Sequence, residues 1–258
     1  MDTNTKKQYH INLESGQVGK YVILPGDPDR VELIAKSLDN PYFVTQKREY
    51  VSWNGYLDGE LITVCSTGIG GPSAAIAIEE LVKCGATTFI RVGTCGGINT
   101  KVVGGDVIVA TAAVRGCGTT DEYLIKDYPA VADFDVVTAL KAAAVKNKLS
   151  HHVGVVQSKD SFWGEVAPET MPIAGELKSR WECFVRAGCL GSEMECSSLF
   201  AVGLTRAVRV GAVLTAIWSI ERPKAGLSNP HYMSSDRAIL CAVDAIRELV
   251  KSDRIQSS

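Results

Sequence analysis

Three glycine-bearing turns, each at the end of a short apolar run, constrain the fold of this chain more than any other feature. The first is Val22-Ile23-Leu24-Pro25-Gly26-Asp27-Pro28-Asp29-Arg30, the second Ser66-Thr67-Gly68-Ile69-Gly70-Gly71-Pro72-Ser73, and the third Arg91-Val92-Gly93-Thr94-Cys95-Gly96-Gly97. A short apolar run that stops at glycine is the pattern of a strand buried on both faces. Glycine lets backbone N–H groups approach a ligand closely, and Arg30 and Arg91 add charge that no ordinary pH removes. Together the turns read as an oxyanion pocket at the carboxyl edge of an α/β sheet. One glycine-rich turn alone would be a commonplace loop. Three, two of them with an arginine, carry the reading.

The stretches between the turns alternate in period. Strands are predicted over residues 21–24, 61–65, 88–92, 106–114, 152–156 and 208–218, and helices over 30–38, 74–83, 133–146, 194–205 and 235–251. Ser73 is the expected N-cap of the second helix and Gly85 its stop, while Asp133 is the expected cap of the third. This alternation predicts an α/β fold, a three-layer α/β/α sandwich. A chain of 258 residues needs only one such domain, taken as 1–258. Only the ends, 1–7 and 252–258, read as loose.

Composition removes several classes of function. Apolar residues make up 46% and charged residues 22%, with a net charge of −2, so nothing electrostatic recommends a nucleic-acid or membrane partner. The first seven residues carry lysines but no apolar stretch, unlike a secretory signal, and the most apolar run, 211–220, is too short to span a bilayer. A cytoplasmic protein is expected. The eight cysteines form no C-x-x-C pair and sit mostly in apolar runs or beside glycines, so they read as reduced, buried small residues. No metal site is expected: His151 and His152 are adjacent, and on a strand they would face opposite ways.

Besides the three turns, the chain contains Lys47-Arg48-Glu49-Tyr50, Tyr128-Pro129-Ala130-Val131-Ala132-Asp133-Phe134 and Ser192-Glu193-Met194-Glu195-Cys196. With these segments it closely resembles the nucleoside phosphorylases of the uridine phosphorylase type, from about Tyr9 to the C-terminal helix. The resemblance implies a central mixed sheet and a phosphorolysis reaction. Inorganic phosphate, a co-substrate, attacks the anomeric carbon of a nucleoside and releases free base and a pentose 1-phosphate. No organic cofactor is implied. Gly26, Arg30, Arg91 and Thr94 match phosphate-binding positions, and Arg48 matches one that reaches over from a neighbouring subunit. Glu195 matches the acceptor for the 2′ and 3′ hydroxyls, with Glu193 and Met194 in the same ribose-binding segment. His10 matches a histidine lent by the partner subunit to the 5′ hydroxyl. A homo-oligomer of dimers, a hexamer first, follows from those shared positions. Arg91, Glu195 and Arg30 are the expected catalytic residues, and Arg91→Ala is expected to spare the fold while nearly abolishing turnover.

The base end departs from the pattern. Phe162 is placed to stack on the base, yet Glu165 stands where the family has a Gln, and Thr170 is the counterpart of its uracil-reading Arg. The general-acid Asp of the purine branch is also missing from Ile217-Trp218-Ser219-Ile220-Glu221-Arg222. Arg222 is then a candidate base contact, and Glu165 is expected to turn away. Restoring the pair with Glu165→Gln and Thr170→Arg is expected to raise kcat/KM for uridine. Uridine is the first substrate implied. A purine nucleoside phosphorylase, a nucleosidase and a silent nucleoside-binding protein are the alternatives.

Overall fold

A computed structural model describes residues 7–256; expectations for residues 1–6 and 257–258 lie outside the described residues. In chain order the elements are β1 (Tyr21–Pro25), α1 (Asp29–Ala35), β2 (Asp39–Lys47), β3 (Tyr50–Leu57), β4 (Glu60–Cys65), α2 (Gly71–Lys83), β5 (Thr88–Gly97), β6 (Val107–Gly116), β7 (Ala130–Val131), α3 (Phe134–Lys146), β8 (His151–Lys159), α4 (Phe162–Val166), α5 (Ala174–Arg186), β9 (Gly191–Glu193), α6 (Cys196–Arg206), β10 (Arg209–Ser219) and α7 (Asp236–Gln256).

The fold is α/β with a mixed sheet. The strand order is β10-β6-β8-β9-β5-β1-β4-β3-β2, with β7 beside β6, and β10 also pairs with β5. That last pairing closes β5, β10, β6, β8 and β9 into a ring. The sheet is therefore partly closed, which simple α/β alternation does not anticipate. Pairing is parallel between β1 and β4, β1 and β5, β5 and β10, and β6 and β8. It is antiparallel within the β2–β3–β4 meander and between β6 and β10.

The period-2 alternation of buried strands splits the core in two. Val22 and Leu24 of β1 and Ala212 and Leu214 of β10 join Ile78, Leu81, Leu199 and Phe200 of α2 and α6 in one cluster. Ile23 and Val213, one residue out of step, join Ile34, Val136, Leu140 and Ile246 of α1, α3 and α7 in the other. Because the strands bury both faces, they read as unbroken apolar runs. Seven of the eight free cysteines are buried, and burial pushes the Cys65 and Cys117 thiols up to about 12, so they act as small apolar residues.

Several local expectations need correction. The first helix ends at Ala35, short of Leu38. Ser73 does not cap α2: Gly70, at φ 92, holds that place, and Ser73 sits inside the first turn with its hydroxyl donating to Glu49 Oε1 at 2.8 Å. The third glycine segment is not a turn, because β5 continues through it to Gly97, and Arg91 lies inside the strand rather than at its end. The sixth helix begins at Cys196 rather than Met194, since Glu195 is its non-helical cap residue. The C-terminal helix runs on to Gln256, through residues expected to be loose. No helix of the described residues is long and apolar enough to cross a membrane.

Asp133 does cap α3, accepting the Val136 N–H at 3.0 Å. Asp133→Ala should remove about 1 kcal/mol, which lowers the melting temperature by roughly 2–4 °C in a chain of this size. Thermal denaturation followed by circular dichroism checks this, and an unchanged melt would mean the cap is redundant.

Candidate active site

A cavity of about 970 Å³ opens where β1, β5 and β9 fail to meet. Pairing between β1 and β5 ends at Pro25 and Val92, and pairing between β9 and β5 begins only at Ser192 and Gly96. Gly93, Thr94 and Cys95 therefore have no strand neighbour on that edge, and they line the cavity. A gap of this kind, at the carboxyl ends of parallel strands, is where α/β sheets hold ligands.

Arg91 crosses this gap. Gly93 makes room for it: a Cβ there would lie 3.0 Å from Arg91 Nη2 and 2.9 Å from Leu214 Cδ2. The guanidinium donates through Nε to Glu193 Oε2 at 3.1 Å and through Nη2 to Glu195 Oε2. Burial alone would lower its pKa, but Glu195 and Glu193 raise it further above the ordinary arginine value. Its third nitrogen, Nη1, is buried and has no hydrogen-bond partner among the described residues. That nitrogen faces the first glycine turn, 3.9 Å from the point where a Cβ on Gly26 would lie.

The two glutamates differ. Glu193, at the end of β9, accepts from Ser158 Oγ, from Arg91 Nε, and from the N–H groups of Glu195 and Cys196. Its oxygens are saturated, so it holds Arg91 and the start of α6 in place. Glu195 accepts the Gly70 N–H on one oxygen, at 2.7 Å, and Arg91 Nη2 on the other. Burial raises the Glu195 pKa while Arg91 pulls it down; the net direction is up. Each of its oxygens keeps room for one more donor.

Arg30 follows the first turn, half-buried, with Nε 3.6 Å from Asp27 Oδ2. It lines the cavity with Gly26, Thr94, Met194, Phe162 and Glu165. Phe162 is 52% exposed, so its ring is free to take a partner, and the adjacent Trp163 stands edge-on to it at 5.7 Å.

Four expected residues are not part of this cavity. Thr170 is exposed and its hydroxyl donates to Ala167 O at 2.7 Å. Arg222 is tied to loop carbonyls, Nε to Ser228 O and Nη1 to Thr100 O, both at 2.5 Å. Neither lines the cavity, where the expectation put both. Arg48 is exposed at the tip of the β2–β3 hairpin with φ 57, and His10 Nδ1 lies 2.7 Å from Glu80 Oε1. Neither lines this chain's own cavity.

Sequence reasoning missed Lys159 and Ser192. Lys159, the last residue of β8, is buried and donates to Glu165 Oε1 at 3.0 Å and to Ser192 Oγ at 2.6 Å. In the sequence it is a lysine after a β-rich run, indistinguishable from a solvated end residue. Its signal is the acid six positions later, one short helix away. Glu165 lines the cavity with its carboxylate held by Lys159 and Ser192.

The sequence profile of the phosphorylase superfamily matches residues 20–224. A uridine phosphorylase of Treponema pallidum is 46% identical over 250 residues, 97% of each chain. A uridine phosphorylase of Escherichia coli is 37% identical over 249 residues, covering 94% of this chain and 98% of the relative. A guanosine phosphorylase of Halorubrum lacusprofundi is 42% identical over 209 residues, covering 81% and 82%. The split edge of β5, the arginine that crosses it and the glutamates that hold it thus sit inside a matched region that covers most of the chain, and the chain belongs to the phosphorylase superfamily.

Proposed function

We propose that the chain is a pentosyltransferase that cleaves a nucleoside, uridine first, with inorganic phosphate, yielding free base and pentose 1-phosphate. One observation carries this reading: a buried guanidinium nitrogen, Arg91 Nη1, is without a partner and faces the Gly26 turn. An unmet buried donor costs roughly 1–3 kcal/mol, and a phosphate oxygen would satisfy it. A nucleosidase would have no use for the arrangement, because water needs no cationic cradle.

The charges support a shared site. Arg91 with Glu193 and Glu195 sums to −1, which does not attract a phosphate dianion. The attraction must come from Arg30 and from a further cation. Arg48, exposed at the tip of the hairpin, is the candidate for that cation if a second copy brings it to the site. The reading therefore includes a homo-oligomer of dimers, a hexamer first, with His10 completing the neighbour's ribose site. The chain acts as one unit over 1–258, a three-layer arrangement with α2 and α6 on one face and α1, α3 and α7 on the other. It uses no organic cofactor and works in the cytoplasm in nucleoside salvage.

The chemistry follows from the placement. Phosphate at Gly26, Arg30, Arg91 and Thr94 lies beneath the sugar. Glu195 spends its free acceptor capacity on the 2′ and 3′ hydroxyls, and its charge steadies the oxocarbenium-like sugar as the glycosidic bond lengthens. Met194 packs on the sugar, and Glu193 positions the other groups.

Removing the Arg91 side chain would strand two buried carboxylates, which costs about 3–5 kcal/mol, so Arg91→Ala is expected to damage the fold. Arg91→Lys keeps a counter-charge and loses the fork. It should stay folded, with kcat/KM for phosphate lower by about a hundredfold or more. Steady-state kinetics against phosphate reads this directly. Activity within a few-fold of wild type would remove Arg91 from the phosphate site.

Glu195→Gln should weaken the grip on the sugar hydroxyls and remove the charge beside the oxocarbenium. We expect kcat/KM to fall more for ribonucleosides than for 2′-deoxyribonucleosides, which present one hydroxyl fewer. Unchanged constants for both would reduce Glu195 to a partner of Arg91 and Gly70.

A further inference from the structure

At the base end, the cavity wall is an ion pair. Lys159 and Glu165 line the large cavity and also a second cavity of about 520 Å³ behind it, so the pair stands between the two. The Lys159 ammonium has three donors. One goes to Glu165 Oε1 at 3.0 Å and one to Ser192 Oγ at 2.6 Å, which leaves the third uncommitted. Glu165 is less free. Lys159 holds one of its oxygens and Ser192 Oγ, at 2.5 Å, the other.

Ser192 fixes the direction of these bonds. Its hydroxyl has a single proton and lies near two acceptors, Glu165 Oε2 and, at 2.6 Å, Gln157 Oε1. The proton serves the carboxylate if the Gln157 amide presents its NH₂ instead, and the two ends of an amide interchange by rotation. Lys159, Glu165, Ser192 and Gln157 then form a hydrogen-bonded set with no net charge. The carboxylate is anchored within it, one donor on each oxygen, and its charge is balanced by Lys159.

Among the described residues lining the large cavity, the lysine and arginine side chains are Arg30, Arg91 and Lys159. The first two belong to the glycine segments that form the phosphate end. Lys159 follows β8, beside Phe162, at the other end. We propose that Lys159 is the cation that faces the leaving base, that Glu165 is its positioning residue, and that the site therefore takes bases presenting a carbonyl oxygen, uracil first. This inference rests on the phosphorylase reading.

The balance of the step is simple. A phosphate oxygen bonds to C1′ as the C1′–N1 bond breaks, and the bonding pair leaves with the base. In uracil that pair spreads onto the carbonyl oxygens, where the third Lys159 N–H can donate. The proton carried by hydrogen phosphate balances the one the free base finally holds. Adenine has no carbonyl oxygen to meet this donor, and its leaving pair spreads onto ring nitrogens placed elsewhere on the base. Arg222 and Thr170 need play no part, and adding an arginine at Thr170 would place it outside the cavity. The rise in uridine cleavage expected from Glu165→Gln with Thr170→Arg is accordingly withdrawn: Glu165→Gln should lower it, because Lys159 loses its charged anchor.

The test is steady-state kinetics of Lys159→Met, Glu165→Gln and the double variant Lys159→Met/Glu165→Met, with uridine, 5-fluorouridine and adenosine. The double variant removes both charges at once and so avoids an unpaired buried carboxylate. Loss of one preorganised charged donor should lower kcat/KM for uridine by about a hundredfold in both lysine variants, with KM for phosphate unchanged. Glu165→Gln should show a smaller loss of the same kind. The more acidic base of 5-fluorouridine carries leaving charge more readily, so its loss should be smaller than that of uridine, a pattern that structural damage would not produce. A folded double variant within a few-fold of wild type overturns the proposal. So does an equal loss for uridine and 5-fluorouridine, or a wild type that cleaves adenosine as well as uridine. A wild type that releases no uracil with phosphate overturns the phosphorylase reading and the Lys159 assignment with it, a result distinct from the other three.

Discussion

Everything at the candidate site depends on how Arg91 is held. The side chain is 4% exposed, between two carboxylates that are themselves 4% exposed. A charge so deeply buried survives only with partners of opposite sign in good geometry. Glu193 supplies one partner and is fixed in turn by Ser158 and the backbone at the start of α6. Glu195 supplies the other and is fixed by the Gly70 N–H at the start of α2. Two of the three guanidinium nitrogens are thereby locked, and the third faces the Gly26 turn without a hydrogen-bond partner among the described residues. Pre-orientation of this kind lets a donor act in a transition state without reorganising.

The sheet makes room for the arrangement. If β1 continued beside β5, or if β9 ran on past Glu193, Gly93 and Thr94 would pair and the gap would close. Instead β9 contributes only Gly191–Glu193, and its last residue is the glutamate that anchors Arg91. The closure of β10 on both β5 and β6 fixes the opposite edge of β5, so the gap is held open from one side only. The ion pair and the topology thus depend on each other.

Much of this was legible in the sequence because it rests on residue types that tolerate few substitutes. Gly26, Arg30 and Arg91 stood out by chemistry and placement, Thr94 and Glu195 through the family resemblance, and the structure brings all five to one cavity. Long apolar runs marked β1, β4, β5 and β10. The β2–β3 hairpin was not legible: β2 is mostly exposed and polar, with no unbroken alternation to mark it. Helix α5 has no fully buried residue; its apolar positions Leu177, Trp181 and Phe184 line the second cavity rather than the core. The extension of β5 through its glycines was hidden because glycine ordinarily marks a turn, whereas here it admits Arg91. Lys159 escaped notice because its partners lie six and thirty-three residues away, and only the β8–β9 pairing brings Ser192 beside it. Thr170 and Arg222, expected at the cavity, do not line it for the same reason: linear spacing carried no record of which side chains face inward.

The central claim is that the unpartnered nitrogen of Arg91 receives a phosphate that becomes part of the product. Phosphorus nuclear magnetic resonance of the wild-type protein with uridine and inorganic phosphate tests it most directly. The account predicts that the inorganic phosphate signal falls while a sugar-phosphate signal rises in step with free uracil. Uracil released with free ribose and an unchanged phosphate signal would contradict it.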